Sequence, residues 1–444
     1  MRVVDPIGPD GAHASRDRVV LADVGGAPAV DLGLAPPLLV TRTLRRMRAA
    51  PEQSEVDRVA AIHRAGAVFE GAVLDGESPE DYCRDHARLS GVPVRAACRA
   101  LSAIRDTAAR IADVVDASRP TGVADGRAVW ARRGDVLGVL APGNHPLPHA
   151  LWLTASALGY RVAVRPSARD PLTAARLVRA LHAAGLAPGH CALLPGPHRS
   201  GDVLVAAADL ALVFGGAATV ARHAGDPAVR AFGPGRSKVL VTAEVDWRRH
   251  LDVLVASVAE EGGTQCLHAT TVLVEGADAA HRLAEALADR LGRLPALPPQ
   301  DPAATLPVLP LADAAKFAEA FEARTGVPVP VADLGDGSAA LRPVVVGPRA
   351  LPAGPVEMPF PCVWVTPWQE ADGTAPLRDS LALTLMTTRR DLVRRCLVEP
   401  TIRAVHWGPT PTTAYDPVLP HDGYLAEFLM TARASTTWSG VGMP

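Results

Sequence analysis

The sequence predicts an α/β protein with two domains built around parallel sheets, together with a smaller third element. The chain has 444 residues, which is too long for one hydrophobic core. From residue 136 onward, short buried strands alternate with amphipathic helices. Alternation at this spacing produces right-handed βαβ units, whose parallel sheets are covered by helices on both faces.

The composition limits the classes of partner and environment. The 45 basic and 47 acidic residues nearly cancel, so there is no footprint for nucleic acid or for an anionic membrane. No uncharged apolar run reaches the roughly 20 residues that a membrane span needs, and the first residues contain no apolar signal core. The six cysteines are scattered without a CxxC pair, which argues against disulfides and metal sites. We therefore expect a soluble, cytoplasmic protein with reduced thiols and no metal.

Periodicity and the positions of Gly and Pro assign the elements in chain order. Residues 1–40 are rich in Pro and Gly and are expected to form loop or edge structure. Residues 44–115 are predicted to be helical, because Ala, Ile, Leu and Val recur at three- and four-residue spacings. Four buried strands separated by helices are then predicted at 135–142, 160–167, 191–196 and 210–216.

This alternation divides the chain into three predicted parts. Residues 1–235 hold the N-terminal helices and a dinucleotide-binding domain of the Rossmann type. Residues 236–420 hold a second α/β domain, which carries Cys266 at the start of a β-branched strand. Residues 421–444 are amphipathic and are predicted to form an oligomerisation arm, with residues 122–135 as a second candidate segment.

Six short motifs follow one another in a fixed order. They are VLGVLAPGNHPLP (136–148), RVAVRPSARDPLTAARL (161–177), DLALVFGGAATV (209–220), FGPGRSK (232–238), GTQC (263–266) and VEMPFPCVWV (356–365). In this order and spacing they resemble the aldehyde dehydrogenase superfamily, and two of them resemble its branch of acyl-CoA reductases that form fatty aldehydes. The resemblance implies a nicotinamide-dependent enzyme, a homodimer or homotetramer, with its active site between the two domains.

The resemblance implies that Cys266 is the nucleophile. In this family the thiol attacks an aldehyde or acyl carbon and forms a thiohemiacetal or a thioester. Because the thiolate is the reactive form, the site must lower the thiol pKa or supply a base. Gly262 and Gly263 are expected to let the nicotinamide and the substrate approach closely. The competing interpretation is a buried structural cysteine, which is common for a free thiol.

The resemblance also implies a role for Asn144 in the PGN-x-P turn. The family uses this side-chain amide, with the backbone N–H of the catalytic Cys, as an oxyanion hole. A tetrahedral adduct places negative charge on the former carbonyl oxygen, and fixed donors stabilise that charge. The competing interpretation is an Asn that only forms a turn.

The cofactor preference is read from residues 165–168. Arg165, Pro166 and Ser167 stand where the family has Lys-Pro-Ser, and Ala168 replaces a Glu that holds the adenosine ribose. An Arg without that acid suits a 2′-phosphate better than free ribose hydroxyls. We therefore expect NADP(H) to be favoured over NAD(H). The competing interpretation is an exposed Arg on a loop.

Two further residues are implied cofactor contacts. Gly216 in FGGA keeps the glycine that lets the backbone approach the pyrophosphate. Glu357 matches the family's Glu-x-Phe glutamate, which holds the nicotinamide ribose, although Pro359 replaces the Phe. A surface carboxylate is the competing interpretation for Glu357.

Phe232 is the informative departure from the family. Hydrolytic members carry a Glu at this position, and that Glu activates the water that cleaves the thioester. A phenyl ring cannot accept a proton, so hydrolysis is expected to slow by about 10²–10⁴-fold. Branches without this Glu exchange the acyl group with another thiol and run from thioester to aldehyde. Glu260, Glu261 and His268 are candidate substitute bases, although solvated or capping roles are commoner for such residues.

The sequence leaves three functions open. The first is NAD(P)H-dependent reduction of an acyl thioester, of CoA or of an acyl carrier protein, to an aldehyde. The second is oxidation of an aldehyde to a carboxylic acid, with Glu261 as the best rescuing base. The third is a scaffold that has lost catalysis. The substrate pocket is expected around Trp152, Leu267, His268, Trp407 and Tyr415.

Overall fold

The chain folds around two parallel-stranded sheets, each covered by helices. The computed structural model describes residues 1–347 and 357–434. The N-terminal part begins with short strands and continues with helices. In chain order these are β1 (Arg2–Val4), β2 (Ile7–Gly8), β3 (Gly11–Ala12), β4 (Arg18–Ala22), β5 (Pro28–Gly33), α1 (Pro37–Ala49), α2 (Glu55–Gly71), α3 (Pro79–Ser90), α4 (Val94–Ala109), α5 (Ile111–Ala117) and α6 (Thr121–Ala124).

The first 33 residues contain more regular structure than the sequence predicted. β1, β5 and β4 form a three-stranded sheet in that order, and Val30 and Leu32 of β5 are buried. The Pro and Gly content concealed this alternation, because Pro28 and Gly33 stand at the two ends of β5, where strands tolerate them.

The first large sheet contains the predicted dinucleotide-binding strands. The elements of this part are β6 (Ala128–Arg132), β7 (Val136–Leu140), α7 (Leu151–Ala157), β8 (Arg161–Arg165), α8 (Pro171–Ala183), β9 (Cys191–Leu193), α9 (His198–Ala207), β10 (Leu210–Phe214), α10 (Ala217–Arg222) and β11 (Val229–Phe232). The strands β11, β10, β7, β8 and β9 are neighbours in this order and run parallel. β7, β8 and β10 are buried over nearly their whole length, because helices cover both faces of the sheet.

The second large sheet follows in the chain and is wholly parallel. Its part of the chain contains β12 (Ser237–Val241), α11 (Leu251–Ala259), β13 (Ala269–Glu275), α12 (Ala277–Gly292), β14 (Val308–Pro310), α13 (Leu311–Thr325), β15 (Val331–Asp333), β16 (Ser338–Leu341), β17 (Val344–Val346), β18 (Cys362–Trp368), β19 (Ser380–Met386), α14 (Arg390–Leu397), β20 (Ile402–Trp407), α15 (Leu425–Leu429) and β21 (Met430–Ala434). The strand order is β17, β18, β13, β12, β19 and β20. β14, β16 and β15 form a separate antiparallel sheet.

The two segments predicted as an oligomerisation element pair with each other. β21 runs antiparallel to β6 as a two-stranded ribbon, with Met430 opposite Arg132. Residues 435–444 of the predicted arm lie outside the described residues. Within the described chain the arm therefore packs on its own subunit, and its role in a dimer or tetramer stays a prediction.

The predicted boundary at residue 235 lies between the two large sheets. β11 is the last strand of the first sheet in the chain, and β12 begins the second. The division into separate domains stays a prediction. Across residues 1–347 and 357–434, no helix combines the length and the apolar character needed to cross a bilayer.

Candidate active site

A cavity of about 1310 Å³ lies where loops of the two large sheets meet. β7, β8 and β10 each deliver a segment to it from their carboxyl ends, where parallel sheets bind ligands. Pro166 is buried beside the cavity and is not part of its wall. The other six predicted site residues line it: Asn144, Arg165, Ser167, Gly216, Cys266 and Glu357. The fold thus brings these residues together, although their individual roles stay predictions.

Cys266 lies in the loop between the 3-10 turn Glu260–Gly262 and β13. Burial and the nearby Glu357 carboxylate raise the pKa of Cys266 to about 12. The sulfur therefore keeps its proton in this state, and nucleophilic attack requires a group that removes it. Gly235 packs on this loop so closely that a Cβ atom there would lie 1.9 Å from the carbonyl oxygen of Cys266.

Gly262 and Gly263 shape the turn before Cys266 rather than admit a ligand. Their φ angles are +92° and +64°, in the region that favours glycine. A Cβ atom on Gly262 would lie 3.0 Å from Pro93, and one on Gly263 would lie 2.7 Å from the carbonyl oxygen of Val258. Neither glycine is among the described residues that line the cavity. The predicted role in close approach of nicotinamide and substrate is therefore not supported.

Asn144 projects from the turn after β7 and is exposed to the cavity. Its Nδ2 donates to the carbonyl oxygen of Thr264 at 2.7 Å, and the Thr264 hydroxyl donates to the carbonyl oxygen of Asn144 at 3.1 Å. An amide nitrogen has two hydrogens, so one remains for an oxyanion. The Asn144 turn and the thiol loop are thereby joined directly.

Glu357 lines the cavity near the thiol. Its Oε1 accepts hydrogen bonds from the backbone N–H groups of Gly235, at 2.5 Å, and of Arg236, at 3.0 Å. Arg236 has a left-handed φ of 49°, a conformation that costs a non-glycine residue about 1–2 kcal/mol. Burial raises the pKa of Glu357, although the two amides and the Arg236 guanidinium oppose that shift.

An aromatic stack contains Phe232, the residue at which the resemblance implies the loss of a general base. Phe232, the last residue of β11, pairs with Phe214, the last residue of β10. Their rings lie 4.6 Å apart with an angle of 11° between their planes. The guanidinium carbon of Arg230 lies 5.6 Å from the centre of the Phe232 ring. Both rings line the cavity, so this wall offers no proton acceptor.

The three predicted substitute bases face away from the cavity. Glu261 Oε2 lies 2.8 Å from Nε2 of His145, and Glu260 forms an ion pair with Arg99. His268 is buried, and this burial lowers the pKa of its imidazole to about 4. None of the three is among the described residues that line the cavity. The prediction of a substitute base at these positions is therefore not supported.

The end of the cavity nearest the first sheet suits an anionic dinucleotide. Arg165 donates from Nε to a backbone carbonyl of the loop after β9 at 2.8 Å, and its burial lowers its guanidinium pKa. Arg169 and His198 line the same region. The Ser167 hydroxyl accepts a hydrogen bond from the backbone N–H of Arg169 at 3.2 Å. A Cβ atom on Gly216 would meet no atom within 4 Å, so the entrance to α10 is open.

Two of the five residues predicted for the substrate pocket line the cavity. These are Leu267 and Tyr415. Trp152 is only 1% exposed, because α7 turns it into the core. Trp407 is 53% exposed on the outer surface, and His268 is buried behind the thiol loop. Sequence position alone did not indicate which way these side chains face.

The cavity wall includes residues that the sequence analysis did not single out, among them His145, Arg230, Arg236 and Gln265. His145 and Gln265 directly follow or precede a predicted catalytic residue, which was a usable signal. The two arginines flank Phe232 in the sequence, and no motif there marked them as cavity residues. Within the described residues, no group of His, Cys, Asp and Glu is arranged to hold a metal ion.

A family profile and several curated proteins match parts of this chain. The profile of the Aldehyde dehydrogenase family matches residues 46–327. The 2-aminomuconic 6-semialdehyde dehydrogenase of Pseudomonas sp is 32% identical over 171 residues, which are 36% of this chain and 34% of that protein. The N-succinylglutamate 5-semialdehyde dehydrogenase of Serratia proteamaculans is 30% identical over 194 residues, 40% of each chain. The chain thus aligns with only about a third to two fifths of these curated relatives.

Solved structures extend the similarity over the whole fold. The crystal structure of an NAD-dependent aldehyde dehydrogenase from Sinorhizobium meliloti superposes with a TM-score of 0.83. The superposition covers 100% of this chain and 96% of the other, at 16% sequence identity. At this identity the similarity establishes the architecture alone.

Proposed function

Because the chain belongs to the aldehyde dehydrogenase family, we propose that it interconverts an acyl thioester and an aldehyde with a nicotinamide cofactor. The acyl group is carried on Cys266 and is exchanged with a thiol, that of CoA or of an acyl carrier protein. The direction proposed is reductive, from thioester to aldehyde. The observation that carries this proposal is Phe232, which stacks on Phe214 where hydrolytic members have their base.

The residues of this chain act on the sulfur, its proton and the substrate oxygen. As the bond between Cys266 and the carbonyl carbon forms, the oxygen becomes negative, and the remaining Asn144 amide hydrogen and the backbone N–H of Cys266 stabilise it. The thiol proton is assigned to Glu357, which lines the same cavity and whose carboxylate is near enough to raise the pKa of Cys266. A bound nicotinamide cofactor would supply or accept the hydride. Arg165, Ser167 and Gly216 would hold that cofactor.

Glu357 is therefore assigned proton transfer in addition to its predicted contact with the cofactor ribose. Glu357→Gln separates the two roles, because Gln still hydrogen-bonds but is a negligible base. If Glu357 takes the thiol proton, acylation of Cys266 slows by about 10²-fold or more while cofactor affinity is retained. A raised cofactor dissociation constant with normal acylation assigns Glu357 to the ribose alone.

We infer a preference for NADP(H) from the cationic end of the cavity. Arg165 and Arg169 line it, the Asp202 carboxylate lies near Arg165 in the same wall, and Ala168 replaces the Glu of the family pattern. The double variant Arg165→Lys with Ala168→Glu recreates the family pattern. Its dissociation constants for NADPH and NADH, compared with those of the unaltered enzyme, test this preference. A wild-type enzyme that binds NADH more tightly contradicts it.

The substrate proposed is an acyl group without a charge. The wall contributed by α4, α5, the 3-10 turn Leu147–Ala150, α7 and residues 415–426 includes Thr107, Val114, Leu147, Leu151, Tyr415 and Leu425. The nearby cations Arg230 and Arg403 both contact Asp422, at 3.3 and 3.4 Å, so they are already paired. A substrate carboxylate would lose hydration there without gaining a free cation.

The second candidate is oxidation of an aldehyde to a free acid. The names of the two curated relatives, both semialdehyde dehydrogenases, favour it. It requires a base for the hydrolytic water. Glu357 and Asp422 both line the cavity near the thiol, and Asp422 is paired with Arg230 and Arg403, so Glu357 is the candidate for that role.

A spectrophotometric assay decides between these functions. Purified enzyme receives NADPH or NADH with a panel of acyl-CoA thioesters, and NADP⁺ or NAD⁺ with the matching aldehydes, with and without CoA. Cys266→Ala is the control. NADPH consumption with a thioester, lost in the variant, supports the proposal. Aldehyde oxidation that needs no CoA supports the second candidate. If the enzyme turns over no CoA ester and no aldehyde of the panel, both functions are contradicted for these substrates.

Phe232→Glu tests whether the aromatic residue at position 232 limits hydrolysis of the acyl-enzyme. The substitution places a carboxylate on the cavity wall, so turnover of the acyl-enzyme by water is expected to rise by about 10²-fold. Release of free acid from an acyl-CoA is the readout, with Phe232→Leu as the control for loss of the aromatic stack. Equal hydrolysis by the Glu and Leu variants would show that the base is supplied elsewhere.

A further inference from the structure

A buried hydrogen-bond network joins the two loops that carry the reactive groups. His145 directly follows Asn144, and Gln265 directly precedes Cys266. Nε2 of His145 lies 2.8 Å from Oε2 of Glu261, and the Gln265 amide nitrogen donates to the same oxygen at 2.6 Å. The side chains of His145 and Glu261 are only 2% and 12% exposed. Water therefore competes little for these bonds.

The partners of His145 assign its proton. The backbone N–H of Leu147 donates to Nδ1 at 3.2 Å, so Nδ1 carries the lone pair. A ring hydrogen on Nε2 then donates to Glu261, and the same ring nitrogen lies 3.0 Å from the Gln265 amide nitrogen, which donates to the same carboxylate oxygen. Both ring nitrogens are occupied, so His145 does not serve as a base toward a substrate although its side chain borders the cavity.

The carboxylate of Glu261 is fixed from three sides. His145 and Gln265 bind Oε2, and Arg99 lies 3.3 Å from Oε1. Burial alone would raise the pKa of Glu261, yet the hydrogen bond from His145 and the Arg99 guanidinium lower it, so the group is an anion. Glu261 also has a left-handed φ of 52°. Contacts are required to hold a non-glycine residue in that conformation.

We propose that His145 and Glu261 are positioning residues that hold the Asn144 amide and the Cys266 thiol in register. This inference rests on the proposed chemistry at Cys266, and it applies equally to thioester reduction and to aldehyde oxidation. The Asn144–Thr264 bonds provide one link between the loops, and that link is exposed. With this link alone the two loops could still rotate about it. The second, buried link from His145 to Glu261 fixes the orientation of one loop relative to the other. Small displacements in such a pair reduce the rate strongly, because an oxyanion donor acts only at hydrogen-bond distance.

Two substitutions of His145 separate the proposed bond from mere packing. In His145→Gln the side-chain nitrogen reaches the place of Nε2 and still donates to Glu261. In His145→Asn the side-chain oxygen takes the place of Nδ1 and accepts from Leu147, but the link to Glu261 is lost. We expect His145→Asn to lower kcat at least tenfold with KM changed less than threefold. His145→Gln is expected to retain kcat within threefold.

His86→Asn is the matched control for the loss of a buried histidine. His86 contacts the Asp170 carboxylate, 3.4 Å from Nε2, and neither residue is among the described residues of the cavity wall. This variant is expected to be less stable but to keep kcat per folded molecule. If His86→Asn lowers kcat as much as His145→Asn does, the effect is general destabilisation and the proposal is wrong.

Two readouts do not depend on turnover. Hydrogen exchange of the backbone amides in residues 261–268 is expected to be at least tenfold faster in His145→Asn than in His145→Gln. Alkylation of Cys266 by iodoacetamide, followed by intact mass, is expected to differ at least tenfold between the same variants. If the wild-type enzyme turns over none of the substrates, the proposed function fails, and these measurements still decide on the link. Equal hydrogen exchange and equal alkylation in the two variants would overturn the proposed positioning role of His145 and Glu261.

Discussion

Two buried histidine–carboxylate pairs show how location decides the consequence of the same chemistry. His145 and Glu261 join two loops beside the cavity. His86 and Asp170 lie in the core, where both side chains are 1% exposed. Asp170 caps α8 through the Thr173 backbone N–H and also accepts from the Thr173 hydroxyl. The first pair should therefore govern catalysis, and the second should govern stability.

The strongest test of this contrast is Asp170→Ala. The change leaves His86 and Thr173 without their acceptor and removes the cap of α8, so the free energy of unfolding should fall by about 3–5 kcal/mol. Chemical denaturation measures this fall. Asp170→Asn, which keeps a capping oxygen, should lose less. A loss below about 1 kcal/mol for Asp170→Ala, or a changed kcat per folded molecule, contradicts the division of roles.

A third buried residue beside the core pair, His149, should make the stability depend on pH. His149 lies 4.0 Å from Asp170, and burial lowers the pKa of His149 to about 4, below the value of about 6.5 in an unfolded chain. A lowered histidine pKa contributes stability that is complete above pH 6.5 and is lost as the pH falls toward 4. At pH 5 the loss from this residue should be about 2 kcal/mol.

The measurement compares unfolding free energies at pH 7 and pH 5 for wild type and His149→Asn. Asn still offers an acceptor to the indole N–H of Trp152, which bonds His149 at 3.4 Å. The variant should lose about 2 kcal/mol less than wild type over this interval. His63→Asn, at an exposed position, should leave the pH dependence unchanged. Identical slopes for wild type and His149→Asn would exclude this histidine as a source.

Glu261→Gln tests the pair at the cavity from its other side. Because the pKa of Glu261 is lowered, the native group is charged at neutral pH, and Gln removes that charge and one acceptor. We expect kcat to fall about tenfold, equivalent to about 1.4 kcal/mol in the barrier. Steady-state kinetics with the preferred substrate measures it. Glu260→Gln is the neighbouring control and should stay within twofold.

Arg99→Ala is expected to have the smallest effect. Arg99 pairs with Glu260 and Glu261 but is 53% exposed, and ion pairs of this kind contribute about 0–1 kcal/mol. Stability should fall by less than about 1 kcal/mol, and kcat should change less than threefold. The difference between variant and wild type should shrink further at high salt. A tenfold loss of kcat would place Arg99 inside the positioning network.

The segments best predicted from the sequence are those with local signals. β7, β8 and β10 are short apolar runs followed by Gly- or Pro-containing turns. The end of β8 delivers Arg165 to the cavity, and the turns after β7 and β10 deliver Asn144 and Gly216. β19 and β20 were not predicted, although β19 lies next to β12 in the second sheet. The apolar run in β19 fits a strand or a helix equally well by periodicity. Its pairing with β12 and β20 in the sheet determines that it is a strand.

The sequence by itself determined the family, the nucleophile candidate and the absence of a base at position 232. These follow from residue types at fixed spacings along the chain, and they can be read without knowing which residues are neighbours in space. Only the tertiary structure decided that Glu261 faces His145 and not the substrate, because the two residues are 116 positions apart. Local propensity encodes elements and turns, whereas the direction of a buried charge depends on which distant groups satisfy it.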